Sequence, residues 1–260
     1  MLEIEHAKKT FNLTNNPLDD RIALDDLSLS VKEGEFVTII GGNGSGKSTL
    51  MNAISGVINL DYGKIMIKGI DVTSIDEHKR AKYLGRVFQD PNLGTAPGMS
   101  IIENMMLAYR RDKKKGLRWG FDKKLRTKFA ESLKTLNLGL DTRMDQKVGL
   151  LSGGQRQALT LLMATLSKPD ILLLDEHTAA LDPKTAKLVL SITDLVVKES
   201  KITTLMITHN MKDAIDYGTR LIMMKEGKII FDVSGDEKKT LTKEDLLKKF
   251  DDDGDANIAL

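Results

Sequence analysis

The sequence predicts an α/β fold: a parallel-sheet core with an N-terminal antiparallel β subdomain and an inserted α-helical subdomain. Three observations predict it. Apolar, β-branched runs recur at Phe36 to Ile40 (FVTII), Ile171 to Leu174 and Ile202 to Ile207, separated by helical periodicity, as expected of strands buried on both faces of a parallel sheet. Ahead of them Ile22, Leu24, Leu27, Leu29 and Val31 interleave with polar residues, the pattern of half-buried antiparallel strands. From about Pro91 to Leu151 no strand-like run appears.

Each element follows from a local signal. FVTII ends abruptly in glycines, and Leu50 to Val57 beyond them is compatible with a helix. In the insertion, Ser100 with Glu103 forms a capping box ahead of Met105, Met106 and Leu107, and Leu125, Phe129, Leu133 and Leu136 repeat at helical spacing. Leu159, Leu162, Met163 and Leu166 mark the next helix. Asp182 followed by Pro183 is an acidic N-cap with proline at the first helical position. Leu241 to Phe250 reads as a short helix, and Asp251, Asp252, Asp253 and Asp255 as a frayed polar end. The expected division is 1–89 with 152–235 as core, 90–151 as helical subdomain, and 236–260 as C-terminal helix and acidic tail.

Composition narrows the function. At about 150 residues per domain, 260 residues hold one to two domains. Lys plus Arg is 39 against 37 Asp plus Glu, a net +2, with 29% charged and 41% hydrophobic residues, as in an ordinary globular protein. A bilayer span needs about 20 apolar residues, whereas the longest uncharged stretch is the 13 residues from Ser48 to Leu60, interrupted by Ser, Asn and Gly. The N-terminus MLEIEHAKKT is no secretory signal and there is no cysteine. A cytoplasmic protein without disulfides or cysteine-metal chemistry is expected, and a charge of +2 does not argue for nucleic acid.

Local motifs carry the chemistry. GGNGSGKST, Gly41 to Thr49, directly after FVTII, matches G-x-x-x-x-G-K-[ST]. Its glycines let backbone N–H groups and the positive helix end face phosphate oxygens, Lys47 adds a charge and Ser48 an oxygen for Mg²⁺. The strand on one side and the helix on the other set it apart from a chance glycine-rich turn. LSGGQ, Leu151 to Gln155, heads a helix and offers a second anion-seeking N-terminus, or a mere cap that ends the insertion. ILLLDE, Ile171 to Glu176, is an apolar strand ending in two carboxylates. With a phosphate loop upstream, Asp175 is placed in the Mg²⁺ shell and Glu176 beside an attacking water.

This set, with Gln89, Ala180-Leu181-Asp182 and His209, resembles the nucleotide-binding subunit of an ABC transporter, in order and separation and over nearly the whole chain. The resemblance implies a P-loop NTPase core that hydrolyses ATP with Mg²⁺. Phe11, Gly42, Asn43, Gly44, Ser45, Gly46, Lys47, Ser48 and Thr49 would bind ATP, with Ser152, Gly153, Gly154, Gln155 and Asp182 acting in trans. Glu176, His209, Lys47 and Gln89 would be catalytic; Ser48, Gln89 and Asp175 would hold the metal. Gln89 would also sense the transmembrane partner, and His209 would contact the γ-phosphate. Phe11 would stack on adenine, although an aromatic in an N-terminal strand also serves as core.

The implied partners are a second copy in a head-to-tail homodimer, integral-membrane permease subunits and, indirectly, an extracytoplasmic substrate-binding protein, with no nucleic acid. The implied place is the inner face of the cell membrane. DEHTAALDPKT and KVGLLSGGQRQALTLLMATL are similar to a narrower group, ATPases of bacterial tryptophan- or tyrosine-type uptake systems. An ABC-type ATPase acting on ribosomes or nucleic acid is the alternative, and a module that binds ATP without hydrolysing it is a third. The stretch Arg110 to Lys128 has ten Lys or Arg and two Asp. It reads as a solvated helical face in preference to a headgroup contact anchored by Trp119. His6 and His78 read as surface residues. His177 stands where the family usually has proline; it reads as a tolerated loop residue in preference to one that titrates near neutrality or touches nucleotide.

Overall fold

The computed structural model describes residues 1–12, 20–111 and 123–251. The middle of the basic stretch, with Trp119, and the acids Asp252, Asp253 and Asp255 lie outside the described residues. In chain order the elements begin β1 (Leu2–Asn12), β2 (Asp20–Val31), β3 (Phe36–Gly41), α1 (Lys47–Ser55), β4 (Tyr62–Ile67), β5 (Ile70–Asp71), α2 (Glu77–Arg80), β6 (Leu84–Val87), α3 (Ile101–Tyr109) and α4 (Lys123–Lys134). They continue α5 (Gly153–Thr165), β7 (Ile171–Asp175), α6 (Pro183–Ser200), β8 (Thr203–Ile207), α7 (Met211–Asp216), β9 (Arg220–Lys225), β10 (Lys228–Ser234), α8 (Gly235–Thr240) and α9 (Lys243–Asp251). Two compact units result: Met1–Leu84 with Lys201–Leu260, and Gly85–Ser200.

In the first unit β2, β1, β4 and β5 form an antiparallel sheet in that order. Leu27, Leu29 and Val31 are buried as the alternation requires, and Leu24 is buried beyond a register shift, but Ile22 is 55% exposed. The pairing slips between Lys9 opposite Leu24 and Thr10 opposite Ile22, so that β2 carries one extra residue there. Such a bulge turns the following side chain to the other face, which the period-two pattern alone does not show. Four further strands stand in the order β10, β9, β3, β8. β3 runs parallel to both neighbours, with Ile39 opposite Ile207 and Ile222, and every residue of β3 is buried. Burying each such Phe, Val or Ile side chain contributes about 1.5–3 kcal/mol. β9 and β10 are joined through Glu226 and Gly227, both with positive φ (47° and 78°), the backbone of a two-residue hairpin turn. α9 closes this side by packing Leu246 and Phe250 with Ile40, Met223 and Val233.

The position of α1 is secured at its C-terminal end by a buried guanidinium. Arg80 donates to the carbonyls of Ala53 (2.6 Å), Ile54 (3.0 Å), Thr73 (2.8 Å) and Ile75 (2.6 Å). It thus satisfies carbonyls that a helix end leaves without intrahelical partners. Burial holds its pKa below the ordinary value.

In the second unit β6 and β7 are neighbours. Among the described residues from Pro91 to Leu151 there are helices and no strand. α3 opens with the expected capping box: the Ser100 hydroxyl accepts from the Glu103 N–H, and the Glu103 carboxylate accepts from the Ser100 N–H at 2.7 Å. α3 meets α4 through an edge-to-face contact of Tyr109 with Phe129 at 5.7 Å, above the buried Leu133 and Leu136. α5 buries almost its whole length. It approaches α6 so closely that a Cβ on Gly154 would lie 2.1 Å from the Thr185 methyl.

Candidate functional site

In the first unit the loop after β3 is shaped by glycine. Gly44 and Gly46 have φ of 79° and 101°, in the left-handed region that L side chains avoid. A Cβ on Gly46 would meet the Ala23 carbonyl at 2.4 Å. The turn folds the loop back, with the Ser45 N–H donating to the Gly42 carbonyl at 3.2 Å. Gly46 then leads into α1, whose first turn carries no acid, so its N–H groups and positive end are left for an anion. The Lys47 ammonium is buried and donates to the carbonyls of Gly41 (2.8 Å) and Gly42 (2.9 Å) and the Ser45 hydroxyl (3.3 Å). Asn43, Gly44 and Ser48 are exposed, and Thr49 follows on α1.

The loop is clasped from outside. The Gly227 N–H donates to the Ser45 carbonyl (3.0 Å), while the Gly227 carbonyl accepts from the Asp25 N–H (3.1 Å). A cavity of about 400 Å³ runs along Gly42 to Ser45, walled by Arg21, Lys225, Glu226 and Phe250. The Arg21 guanidinium lies against Gly44, and Arg21 is the cross-strand partner of Phe11. Phe11 is 36% exposed, with the Lys9 ammonium 5.6 Å from its ring. Its surface is therefore open rather than packed in the core. His209 leaves the C-terminal end of β8 beside that of β3, where the Thr208 N–H donates to the Ile39 carbonyl at 3.2 Å. Parallel pairing thus brings His209 and the glycine loop out at the same sheet edge.

In the second unit Asp175 ends β7 and accepts from the Arg86 guanidinium on β6 at 3.0 Å, while that guanidinium lies 4.8 Å from the Phe88 ring. Gln89 follows β6 and is exposed; the segment before it is held by the Gln157 amide donating to the Phe88 carbonyl at 3.0 Å. Glu176 adopts φ 46°, an unusual conformation for a long side chain. Its carbonyl accepts from the Ala179 N–H at 2.9 Å.

Ser152 caps α5 in a reciprocal box with Gln155, and of the two glycines in the first turn Gly153 is exposed while Gly154 is buried against Thr185. Leu181 sits 3.3 Å from where a Cβ on Gly153 would be. Asp182 accepts from the Lys184 and Thr185 N–H groups at 3.1 Å. The Thr185 hydroxyl and backbone N–H hold its carboxyl below the usual range. Gln89, Asp175, Glu176, Ser152 to Gln155 and Asp182 thus all belong to one compact unit, as Phe11, the glycine loop and His209 do to the other.

His177 lies in the turn after β7, a loop position as expected, but its side chain is buried. It is 2% exposed, and burial pushes its pKa down to about 4, which excludes titration near neutrality. His6 and His78 are exposed, as expected. Sequence reasoning also passed over Arg86 and Gln157. Their available signals were a charge inside the strand LGRV and an amide on the buried face of α5.

The metal donors expected from the sequence, a hydroxyl, an amide and a carboxylate, are all oxygens, the preference of a hard divalent ion. In this structure the Asp175 carboxylate is paired with the Arg86 guanidinium, which a metal would share or displace. Among the described residues no group of three His, Cys, Asp or Glu is arranged to hold a metal alone. Nor, among the described residues, is any helix long and apolar enough to cross a membrane.

Comparison with known proteins agrees with this geometry. A family model described as ABC transporter matches residues 24–179. The chain is 47% identical over 255 residues to a tyrosine transport ATP-binding protein of Clostridioides difficile (strain R20291), covering 96% of this chain and 99% of the relative. It is 34% identical to the methionine import ATP-binding protein MetN of Clostridium tetani, covering 95% of this chain and 76% of the relative. Among solved structures it is similar to the dimeric ATP-binding cassette MJ0796 in a post-hydrolysis state bound to ADP and Pi, with TM-score 0.75, 30% identity and coverage of 90% and 98%. The ADP conformation of the cassette MJ1267 gives TM-score 0.78 at 28% identity, covering 96% and 98%.

Proposed function

The chain belongs to the ABC transporter family, and on that premise we propose that this ATP-hydrolysing subunit powers the import of an amino-acid-like small molecule. The observation that carries the substrate class is the 47% identity, over 99% of its length, to a protein named for tyrosine transport. Relatives named for transport and for import favour transport over an action on ribosomes or nucleic acid. The partners proposed are permease subunits at the inner face of the membrane and, beyond them, a substrate-binding protein.

The chemistry divides among residues already placed. Backbone N–H groups from Gly42 to Thr49 and the Lys47 ammonium hold the phosphates, and Phe11 offers its open ring to adenine. Glu176 accepts a proton from, or orients, the attacking water, and His209 donates to the γ-phosphate. Ser48, Gln89 and Asp175 are the residues that would hold a magnesium ion, which would supply charge neutralisation to the phosphates. Two copies face head to tail, and each lends its Ser152-to-Gln155 cap and Asp182 to the nucleotide on the other. Closure is favoured by contacts that exist only with the γ-phosphate in place, so hydrolysis reverses it.

The test is co-purification from membranes with the full chain as bait, followed by uptake of labelled amino acids into vesicles holding the recovered complex. Recovery of a permease and ATP-dependent uptake of an aromatic amino acid is the expected result. Recovery of ribosomal or nucleic-acid partners with no permease would overturn it.

A further inference from the structure

Glu176 needs restraint. Its positive φ costs about 1–2 kcal/mol for a residue with a side chain, and its successor is not a proline that would fix the backbone. A turn of this kind relaxes unless its surroundings over-determine it.

Besides the Ala179 N–H that donates to the Glu176 carbonyl, a restraint comes from the next residue. The His177 ring is buried, and its Nε2 lies 3.0 Å from the Thr193 hydroxyl in the middle of α6. That hydroxyl has a single proton and donates it to the Val189 carbonyl at 2.9 Å. It can only accept from the ring, so His177 is the Nε2–H tautomer and the donor. The chain of donors runs in one direction, from imidazole to hydroxyl to helix carbonyl. At the far end of the same segment, Asp182 and Pro183 fix the start of α6 through the bonds to Lys184 and Thr185. The loop from Asp175 to Pro183 is therefore tied to α6 at two points, one of them adjacent to Glu176.

We propose that His177 is a positioning residue for Glu176, holding the carboxylate in its working orientation by tethering the turn to Thr193 of α6. This rests on the reading of Glu176 as the group that handles the attacking water. A strand end held in this way keeps the water-facing carboxylate from swinging as the dimer closes. Small misplacement of such a group acts on kcat rather than on ATP affinity, because the phosphates are held elsewhere.

The experiment measures steady-state ATP hydrolysis by the full chain, with kcat and KM resolved separately, together with ATP affinity by equilibrium titration. Thr193→Val removes the acceptor at constant shape, and His177→Phe removes the donor while keeping a ring. Each is expected to lower kcat by about ten- to a hundredfold with KM and ATP affinity unchanged. Thr193→Ser, which restores the hydroxyl, and His177→Gln, which restores an N–H of similar reach, recover most of the rate. The H177F/T193V double variant is expected to be no slower than the slower single variant, because both remove the same bond. A purely structural role would lower the melting temperature and the folded fraction without changing kcat per ATP-binding site. Wild-type kcat in both T193V and H177F, with Glu176→Gln inactive, overturns the positioning role. Rapid turnover by Glu176→Gln overturns instead the reading of Glu176 on which it rests.

Discussion

Gly46 shows how much one residue can determine. It needs a left-handed backbone and leaves no room for a Cβ, so Gly46→Ala is expected to abolish ATP binding, read by titration with a fluorescent nucleotide. Retained micromolar binding would show that the loop reshapes around the methyl. His177 gives a pH dependence with a defined sign. Its pKa falls from 6.5 unfolded to about 4 folded, so between these values the unfolded chain binds more protons. Stability from this group is present above pH 6.5 and lost as pH falls towards 4, by about 3 kcal/mol in total. Urea denaturation of the metal-free protein from pH 7 to pH 4 measures it, and His177→Phe should lack that part of the slope. His177, Arg86 and Gln157 escaped sequence reading for a shared reason. Each is polar, and the partner that gives it meaning lies 16, 89 or 69 residues away.

Among the elements, α1 depends on both of its ends. The N-terminal end was legible, because G-x-x-x-x-G-K-[ST] is a local pattern whose glycines and lysine do their work within nine residues of each other. The C-terminal end was not, because nothing near Arg80 in the sequence says that its guanidinium reaches back to Ala53 and Ile54. Arg80→Leu removes donors from four carbonyls, of which Ala53 keeps the Gly56 N–H, and is expected to cost about 3 kcal/mol or more. Arg80→Lys should recover only part of that, since an ammonium lacks the planar fork. Equal stability of the two variants in urea would contradict the capping role. The strands show a similar division. β3 and β7 were readable because strands buried on both faces are continuously apolar, whereas the extra residue in β2 that exposes Ile22 leaves no trace in an alternating pattern.

The motifs of the whole molecule fall into two groups, the phosphate loop with His209 in one compact unit and the α5 cap with Asp175 and Glu176 in the other. With head-to-tail pairing, nucleotide becomes the glue between copies. Glu176→Gln is expected to hold ATP unhydrolysed and to elute as a dimer on size exclusion with ATP but as a monomer with ADP. Monomers under both conditions would count against the pairing. The family was legible at this scale because its motifs keep their order along the chain. The docking of α9 was not, although its helical form was, since Leu246 and Phe250 pack in one cluster with Ile40, near the other end of the sequence.

The parallel pairing of β3 also bears on how the protein is made. Both its neighbours, β8 and β9, begin after residue 200, and the Gly227 clasp on Ser45 comes later still. At about 5–20 residues per second on the ribosome, the FVTII segment waits on the order of ten seconds or more for its partners. During that interval it is an apolar ribbon with two open edges, a form that invites mispairing or chaperone capture. Ribosome-stalled chains ending before residue 220 should therefore be cut by protease near β3 and fail to bind ATP, whereas chains released after α9 should resist. The phosphate loop at residues 41–49 is thus expected to become functional only after β8, β9 and the Gly227 turn have been made.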